Sequence, residues 1–78
     1  MSAADAQEVK NLLLQSDDTY RQLVNRHQEL DSRLHELSAK HYLTSTERVE
    51  EVTLKKRKLA VKDQMEAIAR QFRGTRAS

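Results

Sequence analysis

Val9, Leu13, Ser16, Tyr20, Leu23, His27, Leu30, Leu34 and Leu37 follow one another at alternating spacings of four and three residues. That mean of 3.5 is the coiled-coil repeat, and only Ser16 and His27 are polar among the nine positions. The pattern predicts one helix over about residues 6–39, roughly 50 Å long at 1.5 Å per residue. Asp5 and Glu8 have the spacing of a capping box at its start.

The repeat stops at Lys40-His41-Tyr42-Leu43, and Thr44-Ser45-Thr46-Glu47 forms a second capping box. Glu47, Glu50 and Glu51 then place carboxylates where the positive end of a helix dipole favours them. A second helix is expected from about residue 45 to 73, with Gly74 as its C′ cap and 74–78 as a flexible tail. Its stripe is Leu54, Lys58, Val61, Met65, Ile68 and Phe72, again at fours and threes. A connection as short as residues 40–44 makes successive helices antiparallel neighbours. Folding there sets Phe72 opposite Leu12 and Leu13, Met65 and Val61 opposite Tyr20 and Leu23, and Leu54 opposite Leu30.

The expected fold is therefore all-α: two long helices in an antiparallel coiled-coil hairpin, one domain spanning residues 1–78. The expected seam is Leu13, Tyr20, Leu23, His27, Leu30, Leu34 and Leu37 against Leu54, Lys58, Val61, Met65, Ile68 and Phe72. Five acid-first i,i+4 pairs should support the helices: Asp17–Arg21, Glu29–Arg33, Glu36–Lys40, Glu51–Lys55 and Glu66–Arg70.

One seam leaves some apolar residues unused. Val52 and Leu59 lie on one line of the second helix, with Leu59 almost opposite Val61. Leu14 and Val24 are a similar surplus on the first. These four form a candidate partner surface for self-association or for another helix.

Composition agrees with helix and limits the chemistry. The 78 residues include no Pro, no Cys and one Gly, and a third of them are charged. A chain this small has a marginal core unless it associates or packs very regularly. Without cysteine there are no disulfides and no thiolate zinc sites. Apolar runs stop at three residues, as in Leu12-Leu13-Leu14, so no transmembrane segment is expected. Residues 1–7 lack the basic and apolar regions of a signal peptide, which points to the cytoplasm.

His27 and His35 are eight residues apart and His41 falls in the turn, so no helical metal site is expected. At the seam His27 faces the neighbourhood of Lys58, a polar layer suited to fixing register. No nucleophile has a base in reach, no Gly-rich phosphate loop exists, and two helices offer no deep pocket. The expectation is a non-enzymatic chain with no cofactor and no small-molecule substrate.

Charge is uneven along the chain. Residues 1–54 carry 6 basic and 10 acidic side chains, whereas residues 55–78 carry 8 and 2. Lys55, Lys56, Arg57, Lys62, Arg70 and Arg73 are thus candidate nucleic-acid contacts. Against that, four consecutive cations point around most of a helix and no aromatic is interleaved for stacking.

The runs His27-Gln28-Glu29-Leu30-Asp31, Leu34-His35-Glu36-Leu37, Tyr42-Leu43-Thr44 with Glu47, and Leu54-Lys55-Lys56-Arg57-Lys58-Leu59-Ala60-Val61-Lys62-Asp63 closely resemble the YdcH-like family of small bacterial proteins. The resemblance covers residues 20–72. It implies a helical hairpin in a bacterial cytoplasm and implies no activity. The leading functional expectation is a protein–protein interaction or scaffold module that self-associates. The alternative is a nucleic-acid-associated protein using the basic C-terminal helix.

Overall fold

A computed structural model describes the backbone of residues 3–77 and the side chains of residues 7–74. Its helices are α1 (Ala3–Ser16), α2 (Asp18–Ser38) and α3 (Ser45–Ala77), with no strand among the described residues. The all-α expectation holds, but the architecture has three helices where two were expected.

The difference arises at Asp17. Its backbone is extended, with φ −124° and ψ 108°, and its carboxylate accepts a hydrogen bond from the Tyr20 N–H at 2.8 Å. Asp17 is therefore the N-cap of α2, and Asp18 follows in the first turn where a carboxylate suits the dipole. The amide of Asp17 still donates to the Leu13 carbonyl at 2.8 Å, so α1 closes normally before the chain turns. Ser16 is exposed and its hydroxyl donates to the Leu12 carbonyl. A polar residue in the heptad thus marks a helix end, although the repeat runs on in phase. α1 itself begins at Ala3, which places Asp5 inside the helix instead of at a cap.

The second boundary follows the expected chemistry. The Glu47 N–H donates to Thr44 Oγ1 at 3.1 Å, and the Thr44 N–H donates to Glu47 Oε1 at 3.0 Å. This reciprocal box starts α3, while Ala39 and Lys40 close α2 by donating to carbonyls one turn back. α3 then continues through Gly74 to Ala77, so Gly74 is not a C′ cap and has no positive φ. Residue 78, the end of the expected tail, lies outside the described residues.

α2 and α3 run antiparallel, as the interhelix contacts Arg33–Glu50 and Asp31–Lys58 require. Leu30, Leu37 and Leu54 are buried between them, with Leu34, Leu43 and Val61 packed alongside. A second apolar group joins all three helices. Val9, Leu13 and Tyr20 are buried in it, and Leu14, Val24, Met65, Ile68, Ala69 and Phe72 pack against them. Each buried aliphatic or aromatic side chain contributes about 1.5–3 kcal/mol, so two such groups are the main source of cohesion.

The expected facing pairs sort cleanly. Leu54 shares a group with Leu30, Phe72 with Leu13, and Met65 with Tyr20. Val61 packs with the Leu30 group instead of with Tyr20. The molecule measures 51 × 20 × 20 Å. The long axis is that of α3, while a flat pair of helices, each about 10–12 Å across, would be shallower one way. α1 supplies the extra depth.

Candidate interaction surfaces

The thirteen expected seam residues are all buried or half-buried. Of their two polar members, Lys58 takes a different partner from the His27 that the sequence suggested. Lys58 reaches Asp31 on α2, and this ion pair at the seam edge replaces a His27–Lys58 layer. The hydrogen bond and charge of Lys58 hold the Asp31 carboxyl below its ordinary range, with smaller help from His27 and His35 one turn away on either side.

The expected i,i+4 pairs are largely displaced. Glu51–Lys55 forms at 3.7 Å. Asp17 serves as a cap, and Arg21 turns to Asp18 instead. Arg33 bridges to α3 with a two-pronged contact, Nε to Glu50 Oε2 at 3.0 Å and a terminal nitrogen to Oε1 at 2.9 Å. It also meets Glu36 at 3.0 Å, and these acids raise its pKa while Arg33 lowers that of Glu50. Lys40 pairs with Glu47. Arg33–Glu50 and Lys58–Asp31 thus tie α2 to α3, while the remaining pairs of Arg21, Arg26 and Lys55 stay within one helix.

The four residues expected to form a partner surface separate into two pairs. Leu14 on α1 and Val24 on α2 are half-buried against the Val9–Leu13–Tyr20 group, because the turn at Asp17 folds the two helices toward each other there. Val52 and Leu59 remain open at 52% and 61% exposure. Val49, at 68% exposure, extends their line, and Tyr42 at 89% stands just before α3. Val49 was readable from the sequence, since it precedes Val52 by three residues on the same helix face.

Beside this line runs an open groove of about 1120 Å³ bounded by all three helices. Val9, Tyr20, Leu34, Leu59, Met65 and Ala69 give it apolar ground. Burial there raises the Tyr20 hydroxyl's pKa. Lys10, Lys55, Lys58, Lys62, Arg70 and Arg73 supply cations, with His27 and His35 on the α2 side. Asp31, Glu51 and Glu66 are its acids, and the first two are engaged by Lys58 and Lys55. Of the six candidate nucleic-acid contacts, Lys55, Lys62, Arg70 and Arg73 share this groove, whereas Lys56 and Arg57 are exposed outside it. No deep pocket is expected from the sequence, and the concavity present is an open groove whose one end is walled by Val9 and Lys10 of α1.

No group of His, Asp or Glu side chains suited to a metal ion occurs among the described residues, and none of their helices is long and apolar enough to cross a membrane. No curated protein and no solved structure matches the chain. Residues 21–69 match the family model described as protein of unknown function (DUF465). That stretch holds most of α2, the turn and most of α3, and leaves α1 outside. With more than half of its length matched, the chain belongs to this family, to which the YdcH-like proteins also belong.

Proposed function

We propose that the protein is a small cytoplasmic interaction module, a coiled-coil pair of α2 and α3 that self-associates and acts as a scaffold or adaptor. The observation that carries this reading is the exposed line Val49–Val52–Leu59 on α3. Three aliphatic side chains left open on one helix face, in a chain with so small a core, favour burial against a second copy. Lys56 lies within the line, and its aliphatic stem can cover apolar surface while the ammonium stays in water. The cytoplasmic setting rests on the charged, cysteine-free composition.

Three side chains cover less than the ~800 Å² per partner of a standard interface. The association is therefore weak and concentration-dependent. Size-exclusion chromatography over a hundredfold range of loading should move the wild type toward earlier elution. Val52→Glu and Leu59→Glu should hold the monomer position throughout. Concentration-independent elution of the wild type at the monomer position would remove this reading.

The nucleic-acid alternative draws support from the four cations that share the groove. Asp31, Glu51 and Glu66 among them, and the lack of an exposed aromatic in the groove for base stacking, weigh against it.

A further inference from the structure

The groove along α3 has a chemistry of its own, apart from the Val49–Val52 line. Its ion pairs are unevenly distributed. Lys55 and Lys58 are matched by Glu51 and Asp31. Among the described residues, Lys10, Lys62, Arg70 and Arg73 line the groove without entering any ion pair. The Arg73 Nε is buried and has no hydrogen-bond partner. A row of unmatched cations beside apolar ground is complementary to a ligand that is both anionic and greasy.

Shape narrows the choice further. On α3 the groove extends from Glu51 to Arg73, a distance of roughly 33 Å at 1.5 Å per residue. Its volume of about 1120 Å³ spread over that length gives a mean section of roughly 34 Å². A helix about 10–12 Å across has a section of roughly 80–110 Å². The groove can thus embed one face of a helix along its whole length. It is too shallow and too long to enclose a small molecule.

A second copy of this chain is a poor source of that helix. Its α2 acids Asp18, Glu29 and Glu36 are already held by Arg21, Arg26 and Arg33. Its other helix of sufficient length is the basic α3.

We propose that the groove between α1, α2 and α3 is a docking site for an acidic amphipathic helix of another protein. Apolar side chains of that helix, at i, i+3 or i+4, and i+7, rest on Leu34, Leu59, Met65 and Ala69. Flanking carboxylates meet Lys10, Lys62, Arg70 and Arg73. A carboxylate that draws Arg73 outward gives its Nε the acceptor it lacks. The proposal rests on the chain being an interaction module; it shares Leu59 with the self-association line and otherwise uses different residues.

The test is fluorescence anisotropy on the full chain with four labelled probes of about 22 residues. One is an amphipathic helical peptide with Leu anchors flanked by Glu. The second has Lys in place of Glu, the third has Ser in place of Leu, and the fourth is a single-stranded oligothymidylate. The Leu/Glu peptide should bind, and the Lys and Ser versions should lose binding. Lys62→Glu/Arg70→Glu should weaken the Leu/Glu peptide about tenfold, and Lys62→Gln/Arg70→Gln should fall between. Circular dichroism is recorded for each variant, and the milder pair keeps the test valid should charge reversal disturb the helix. Neither pair should change the elution position that reports self-association, so the two proposals fail separately. Absent binding of the Leu/Glu peptide, equal binding by both variant pairs, or equal binding of the Ser peptide overturns the docking site. Tighter binding of oligothymidylate than of the Leu/Glu peptide overturns it in favour of nucleic acid.

Discussion

The Asp17 carboxylate accepts the Tyr20 N–H at 2.8 Å, and this single contact turns the N-terminal half of the chain into two helices. Tyr20 in turn is buried with Val9 and Leu13, so the residue that the cap holds also anchors α1. Local capping and tertiary packing reinforce each other at this corner. α1 comes to lie against the C-terminal half of α3, and the groove gains its third wall.

Replacing the cap should loosen both features. Asp17→Ala should cost about 1 kcal/mol, the ordinary loss for an N-cap acid. Hydrogen exchange should speed up at the Tyr20 amide and across α1, while α2 and the first turns of α3 stay protected. Uniform exchange changes along the chain would show that Asp17 does not control α1.

The Thr44–Glu47 box predicts a pH dependence. Lys40 and then the Thr44 amide lower the Glu47 carboxyl from 4.5 to about 2. A depressed folded-state pKa adds stability that is fully present above the unfolded value and is lost as pH falls through the folded one. The loss should therefore run from about pH 4.5 down to about pH 2. Asp31 and Glu50, lowered by Lys58 and Arg33, act in the same direction. Glu47→Gln keeps the hydrogen-bonding shape and removes the charge. Its urea midpoint should lie below the wild type's at neutral pH, and the gap should close as the medium is acidified. A gap independent of pH would contradict the ion-pair account.

Core and surface leucines should separate widely. Leu37→Ala, at one of the most deeply buried positions, should cost about 2–5 kcal/mol by denaturant unfolding. Leu59→Ala should stay within about 0.5 kcal/mol when measured at low protein concentration. Comparable losses at the two positions would mean that Leu59 is covered in the free chain.

The sequence is most readable where one local rule decides the outcome. The Thr44–Glu47 spacing marks the start of α3, and the four-three stripe ending at Leu37 and Phe72 identifies the apolar face. Asp17 is harder to read because the heptad continues in phase on both sides of it, and periodicity reports the face but not the direction of the axis. The cue was present in Ser16-Asp17-Asp18, a polar cluster with a capping acid followed by a first-turn acid. Leu14 and Val24 then read as surplus, since their burial depends on a bend. Gly74 reads as a stop, yet nothing in the packing makes the chain turn there, and α3 continues. The Arg33–Glu50 bridge and the Asp31–Lys58 pair need the interhelix register in three dimensions, which i,i+4 counting along one helix does not supply. The groove is least accessible from sequence, because its walls come from three elements and the in-phase heptad does not separate α1 from α2.

The central claim is that α3 presents an apolar line that the protein buries against a second copy. Sedimentation equilibrium of the full chain, of mass 9.1 kDa, tests it most directly. Wild-type protein should show a mass that rises with concentration toward twice that value, while Val52→Glu/Leu59→Glu stays monomeric with unchanged helicity. A wild type that remains at 9.1 kDa at every concentration, or a variant that associates as readily as the wild type, would contradict the account.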